Sequence, residues 1–386
     1  MKPPSLRVLM LSDVYFPRIN GVSTSIQTFG TDLAGEGVAV RLIAPAYPQA
    51  FGDVATWRVP SRQLPFDPED RLMRWRPLRR ITDTLAAEGT DLIHIHTPFA
   101  AHYAGLKAAR KHGLRIVATY HTHFEEYIQH YLPVLPRAVL KTAARALARH
   151  QCDTLDAVIV PSEAMRATLD EYGVKAPMHV LPTGIPVQHF ENGDGRRFRA
   201  KYGIEPERPL ALYVGRVAHE KNIDFLLKAL GHALWQLPEL LLVIAGEGPA
   251  LGHLQQLAAS LSLDEHVRFV GYLDRQQEQP DCYAAANVFA FASRTETQGL
   301  VLLEAMAAGL PVYALAHLGT ASIVGPGRGA VAAPADPEGF GHGLAALLAD
   351  RPRLACLTRE GRDFARLWSA PERARQLAAL YRQLVV

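Results

Sequence analysis

Two glutamates, Glu296 and Glu304, flank a turn in the run Ser293-Arg294-Thr295-Glu296-Thr297-Gln298-Gly299-Leu300, which continues as an apolar segment through Ala307. The residues before it, Ala286 to Ser293, read as a buried strand. The chain therefore runs strand, tight polar turn, helix. Backbone N–H groups at 297–300 then lie unpaired at a helix N-terminus, a place that attracts an anion and a phosphate above all. Glu296 stands at the mouth of the turn, and Glu304 about two turns inside the helix. A diphosphate held at that terminus leaves two carboxylates to accept hydrogen bonds from sugar hydroxyls, which is the chemistry of binding a sugar nucleotide. The plain alternative is an ordinary turn with two solvated glutamates, because short motifs recur by chance.

A second cluster supports the phosphate reading. Leu210–Val214 reads as a strand, and Gly215, Arg216 and Lys221 follow it. Two cations at a strand end suit a diphosphate, with the arginine able to bind two oxygens at once. The alternative is a surface cation pair. His219-Glu220-Lys221-Asn222 lacks the second histidine of a zinc-binding helix. His94 and His96, and His121 and His123, are spaced to share one face of a strand. No cysteine or third ligand accompanies either pair at a metal spacing, so hydrogen bonding is favoured and no metal is expected. After a first strand at Arg7–Leu11, the loop Ser12 to Ser25 carries Gly21, where the backbone can approach a ligand; a plain glycine turn is the competing reading.

These residues need elements to position them. Further strands are expected at Val38–Ala44, Leu92–His96, Arg115–Tyr120, Ala157–Pro161 and His179–Leu181. A second series adds Leu240–Ala245, Val267–Val270, Val288–Phe291 and Pro311–Ala314. Strands alternating with helical segments imply parallel sheets covered on both faces, and two series imply two doubly wound α/β domains. The polar, glycine-bearing stretch 191–197 suits a linker, with a hinge near 183–200. The expected domains are 1–190 and 191–370, followed by a C-terminal helix at 371–386.

Composition narrows the class. Charged residues make up 20% and hydrophobic ones 48% of 386 residues, with a net charge of +3, which suits a globular enzyme and implies no general affinity for nucleic acid. The cysteines Cys152, Cys282 and Cys356 are far apart, so no disulfide framework and a cytoplasmic location are expected. No apolar run reaches the length of a membrane span. Arg71, Arg74, Arg76, Arg79 and Arg80 nevertheless interleave with Leu72, Met73, Trp75 and Leu78. That pattern suits peripheral contact with an anionic membrane, and a solvated charged face is the alternative. Pro77 marks the start of a helix.

The stretch from Glu296 to Glu304 resembles the E-x7-E motif of the retaining glycosyltransferases of family 4, and its form Glu-Thr-Gln-Gly is similar to the lipid-glycosylating members, diacylglycerol glucosyltransferases among them. Gly215 to Asn222 resembles the family's G-R-x4-K-N motif, and Ala245 to Pro249 its A-G-x-G-P loop. The resemblance implies the GT-B fold, two Rossmann-like domains with a cleft between them and a C-terminal helix crossing back. It implies that Gly21 lies against the donor diphosphate, and that Arg216, Lys221 and the segment Thr297, Gln298, Gly299 and Leu300 stabilise it as it departs. Glu296 then holds sugar hydroxyls, Glu304 the ribose, and His121 the sugar near its reacting centre. Gly215, Gly271 and Tyr272 line the nucleotide. The region 125–133 lies near the acceptor in lipid-acting relatives, although a helix packed in the core fits equally. His317 to Ser322 departs from the family's Gly-Gly-x-x-Glu, so no donor role is carried to it. No cofactor is implied beyond the donor substrate, with UDP-glucose favoured and GDP-mannose as the other option. The favoured acceptor is diacylglycerol or a similar lipid. A saccharide acceptor and a non-catalytic sugar-nucleotide-binding protein are the competing readings.

Overall fold

The computed structural model describes residues 6–18, 20–48, 55–64, 67–121 and 137–385. It divides into two compact units, Met1–Gly184 with Ala370–Val386, and Ile185–Ser369. In the first unit the strands are β1 (Leu6–Leu11), β2 (Val38–Pro45), β3 (Thr56–Val59), a hairpin of β4 (Ser61–Leu64) and β5 (Asp67–Met73), then β6 (Leu92–Ile95), β7 (Arg115–Thr119), β8 (Ala157–Val160) and β9 (Met178–Val180). Seven of them form one sheet in the order β3-β2-β1-β6-β7-β8-β9, and β4 pairs with β5 alone. Every pair in the large sheet is parallel. Its central strands are apolar without alternation, as burial on both faces requires. One face packs on Leu78, Leu85, Ala104 and Met165. The other packs on Ile26 and Phe29, and on Ala374, Leu377, Ala378 and Tyr381 of the helix Ala370–Val385.

The second unit has its own sheet and its own core. Strands β10 (Leu210–Val214), β11 (Leu241–Ala245), β12 (Val267–Gly271), β13 (Val288–Phe291), β14 (Val312–Ala314) and β15 (Ala330–Ala332) run parallel in the order β12-β11-β10-β13-β14-β15. Strand order reverses between β1 and β6 in the first sheet and between β10 and β13 in the second. Such switch points leave a crevice at the carboxyl ends of the strands. The loops bearing Arg216, Lys221 and Glu296 leave β10 and β13, so they open at the second switch point.

Several expectations need correction. Strands β3 and β15 and the hairpin escape the sequence pattern because they are short and lie outside the continuous apolar runs. The helix in the basic segment starts at Trp75, with Pro77 in its first turn, where a missing N–H costs nothing. The two compact units divide after Gly184, inside the hinge region expected near 183–200, and after Ser369. The stretch 191–197 is no open linker. Helix Val187–Glu191 ends in it and helix Gly195–Lys201 begins in it, capped by Asp194, whose carboxylate accepts from the amides of Arg196 and Arg197. Arg197 grips buried Asp281 through Nε at 2.5 Å and Nη2 at 2.7 Å. A Cβ on Gly193 or Gly195 would lie 2.2 or 2.4 Å from the carbonyl oxygens of Pro280 or Ala284. These glycines allow backbone contact and do not confer flexibility.

Candidate active site

The second switch point brings a cation and an anion together. Lys221 closes a short 3₁₀ turn, His219–Lys221, after β10, and its Nζ lies 2.5 Å from Glu296 Oε1. Both side chains keep partial access to solvent, at 17% and 19% exposure. Asn222 adopts a left-handed φ of 58° and donates through Nδ2 to the carbonyl of Ala292 at 3.1 Å, which ties the two loops together. Asparagine tolerates that conformation better than most residues. Arg216, on the same loop as Lys221, lies 3.6 Å from Glu220. The hydroxyl of Tyr213 donates to the carbonyl of Arg216 and steadies the turn.

Glycine is needed where the next loop passes under this one. A Cβ on Gly246, whose φ is 139°, would meet the carbonyl oxygen of Gly215 at 1.9 Å. The amide of Gly215 bonds Ala245 O, and that of Gly246 bonds Gly271 O, so the ends of β10, β11 and β12 form one stacked ledge. Tyr272 follows on that ledge, half exposed.

The helix carrying the motif is Leu300–Ala307, with Gly299 at its N-cap in the left-handed conformation (φ 86°) and no side chain capping it. Its N-terminus thus lies at 299–300, the last part of the expected 297–300, because Gly299 starts it. Glu304 is the fifth residue of the helix, little more than one turn in. Gln298 is buried. The loop His317–Ser322, given no role from the sequence, backs the motif. Gly319 donates to the carbonyl of Glu296 at 2.9 Å, and a Cβ there would collide with Thr297 at 2.2 Å.

Glu304 is only 3% exposed. Its Oε2 accepts from Gln279 Nε2 at 3.0 Å and from the Tyr283 hydroxyl at 2.8 Å. Arg275 Nη2 lies 3.7 Å from Oε1. Sequence reasoning missed Gln279, Tyr283, Arg275 and Gly319. The first three precede the motif on a helix and loop with no motif of their own.

Gly21 and His121 belong to the first unit. Gly21 opens the helix Gly21–Asp32, which Asn20 caps by accepting from the Ser23 amide. Among the described residues, its chain neighbours and its own helix backbone aside, no atom lies within 4 Å of where its Cβ would stand. His121 Nε2 lies 3.0 Å from His96 Nδ1, and the rings stack. His94 is held on both nitrogens, by the Tyr381 hydroxyl at 2.6 Å and Thr119 Oγ1 at 2.7 Å. Burial lowers His94 and His121 to about 3 and His96 well below the usual imidazole range, so all three are neutral at pH 7. Nearby, Asp13 exchanges bonds with Thr97 and accepts from the Ala101 amide. Burial raises its carboxyl to about 6 against those bonds. Among the described residues no three histidine, cysteine or carboxylate side chains are arranged to hold a metal ion, these histidines included. His123 and the segment 125–133 lie outside the described residues.

Of the five arginines, Arg74, Arg76, Arg79 and Arg80 are exposed around the start of helix Trp75–Ala87, beside exposed Leu72 and Trp75. Arg71 departs from the pattern, since it is half-buried and its guanidinium lies over the Tyr47 ring at 5.1 Å. No helix among the described residues is long and apolar enough to cross a membrane.

Comparison with known proteins places the chain in a family. Residues 19–189 match the model of Glycosyltransferase Family 4, and residues 194–364 that of Glycosyl transferases group 1. An alpha-monoglucosyldiacylglycerol synthase of Streptococcus pneumoniae is 33% identical over 80% of this chain and 71% of its own. A GDP-mannose-dependent alpha-mannosyltransferase of Mycobacterium tuberculosis is 29% identical over 92% of this chain and 91% of its own. The crystal structure of Anabaena HepE with UDP and glucose superimposes with a TM-score of 0.79 over 98% of this chain and 100% of its own; at 18% identity it speaks to the fold alone.

Proposed function

This chain belongs to the family-4 glycosyltransferases and has the GT-B fold, and we propose that it moves a hexose from a nucleotide sugar to a membrane lipid with retention of configuration. The observation that carries the reading is the Lys221–Glu296 pair at 2.5 Å beside the uncapped start of helix Leu300–Ala307. A cation and a helix N-terminus suit phosphates, while an adjacent carboxylate suits the hydroxyls of the attached sugar. The unit 185–369 then holds the donor, and the unit formed by 1–184 and 370–386 holds the acceptor.

In this reading Arg216, Lys221 and the helix terminus stabilise the charge that grows on the departing diphosphate, which is the largest charge change of the reaction. Glu296 orients the sugar through its hydroxyls, and His121 takes the sugar-positioning role implied by the family. The bond from the anomeric carbon to the phosphate oxygen breaks. The acceptor hydroxyl attacks the same face, and its proton passes to the leaving phosphate. No side chain is assigned as a covalent nucleophile, and the protein cations balance the diphosphate. UDP-glucose and diacylglycerol are the favoured pair, and the name of the 33%-identical relative supports glucose as the sugar and diacylglycerol as the acceptor. The mannosyltransferase relative, matched over nearly the whole chain, supports GDP-mannose as the second reading.

The exposed arginines and Trp75 support contact with anionic lipid. Arg74 and Arg76 stand at a helix N-terminus whose first turn holds no acid, an arrangement the helix dipole disfavours and a negative surface would relieve, and Arg79 and Arg80 add charge in the next turn. The direct test is labelled UDP-glucose with and without liposomes containing diacylglycerol. Label should enter the lipid phase only with diacylglycerol and be lost in Glu296→Ala. Transfer undiminished in that variant removes Glu296 from the site. Transfer from GDP-mannose alone moves the reading to the second donor.

A further inference from the structure

Helix Glu278–Ala285 presents two neutral donors to a single oxygen of Glu304. Gln279 and Tyr283 stand four positions apart, the helical spacing that puts side chains on one face, and both donate to Oε2. Neither can readily swing away, since Gln279 is 6% and Tyr283 1% exposed. The Tyr283 ring is boxed by Phe190 edge-on at 5.7 Å and by Phe289 at 5.9 Å. The same helix is anchored through Asp281, which accepts from Arg197 and from the amide of Asp194. A carboxylate fixed through one oxygen has a fixed plane. Its other oxygen, Oε1, keeps acceptor capacity and points in one direction, toward the side where Arg275 lies 3.7 Å away.

We propose that Gln279 and Tyr283 are positioning residues that aim Glu304 Oε1 at a ribose hydroxyl of the donor nucleotide. This rests on the reading of Glu304 as the ribose-binding carboxylate. The two residues lie outside the E-x7-E motif, 25 and 21 positions ahead of Glu304. They hold the acceptor group in place before the nucleotide arrives, so that less rotational freedom is lost on binding. A purely structural role, satisfying a buried carboxylate, would affect stability and leave discrimination between nucleotides untouched.

The test measures affinity of the full chain for UDP and GDP, each beside its 2′-deoxy and 3′-deoxy forms, by titration calorimetry. Wild type should bind the intact nucleotide roughly ten- to a hundredfold more tightly than the form lacking the contacted hydroxyl, as expected for a hydrogen bond to a charged group. In Tyr283→Phe, and separately in Gln279→Leu, that ratio should fall to a few-fold, while the deoxy form binds as it does to wild type. A ratio unchanged in both variants, with only the melting temperature lowered, overturns the proposal. Wild type that fails to distinguish either deoxy form refutes the ribose reading of Glu304 itself, an outcome visible before any variant is made.

Discussion

Replacing Lys221 with methionine separates a catalytic cation from a structural ion pair. At 2.5 Å and an effective dielectric of about 20, the Coulomb attraction between Lys221 and Glu296 is about 7 kcal/mol. Desolvation offsets most of it, because both side chains are more than four-fifths covered. Removing Lys221 alone leaves the Glu296 carboxylate uncompensated and should lower stability by about 1–3 kcal/mol. Neutralising the partner as well, in Lys221→Met with Glu296→Gln, should restore most of that loss. Turnover should behave differently. If Lys221 stabilises the leaving diphosphate, its loss costs about 10²- to 10³-fold in kcat/KM, close to 3–4 kcal/mol, and the double variant recovers none of it. Thermal unfolding and steady-state transfer of labelled hexose, run on the same preparations, read both quantities. A double variant that regains both stability and turnover would refute the reasoning, because the pair would then be structural.

Acidification should destabilise the first unit. His94 and His121 are held near 3, buried His102 of helix Ala100–His112 near 4 and His96 well below its usual value, so the unfolded chain takes up protons below about pH 6.5 that the folded state refuses. Asp13, raised to about 6, works the other way, since its folded form binds the proton more tightly between about pH 4 and 6. Four imidazoles outweigh one carboxyl, so the urea midpoint should fall from pH 7 to pH 5, and a flat or rising midpoint contradicts the neutral histidine cluster. Gly246→Ala should cost about 3 kcal/mol or more, read from the urea midpoint, because its Cβ would stand 1.9 Å from the Gly215 carbonyl at a φ that disfavours side chains. Arg76→Glu with Arg79→Glu should release the chain from anionic vesicles in a flotation assay, at about 1 kcal/mol per cation near the surface, while leaving donor binding unchanged. Equal flotation of wild type and variant removes the arginines from membrane contact.

The strands that lead into the candidate site were legible because their signals are local. β10 and β13 are apolar runs broken by Gly215 and by the polar turn at 293–299, and each ends where its loop begins. Of the stretch 297–300 expected at the helix N-terminus, Gly299 and Leu300 stand there, because the left-handed Gly299, and not the polar residues before it, sets the cap. The stretch 191–197 looked like a linker because glycine and charge suggest flexibility, although Gly193 and Gly195 are small for contact with the backbone of 280–284. The roles of Gln279, Tyr283 and Gly319 had no local signal, since each acts on a partner far along the chain.

The sequence by itself determined the two α/β halves, the placing of Arg216, Lys221 and a polar turn just after apolar strands, and the spacing of Glu296 and Glu304. Those properties follow from hydrophobic periodicity and residue chemistry, which are written in neighbouring positions. Tertiary structure decided which carboxylate pairs with a cation and which is fixed by neutral donors. Lys221 reaches Glu296 across 75 positions, and Tyr283 reaches Glu304 across 21. Contacts of that kind depend on strand order and packing, which bring separate loops to one switch point.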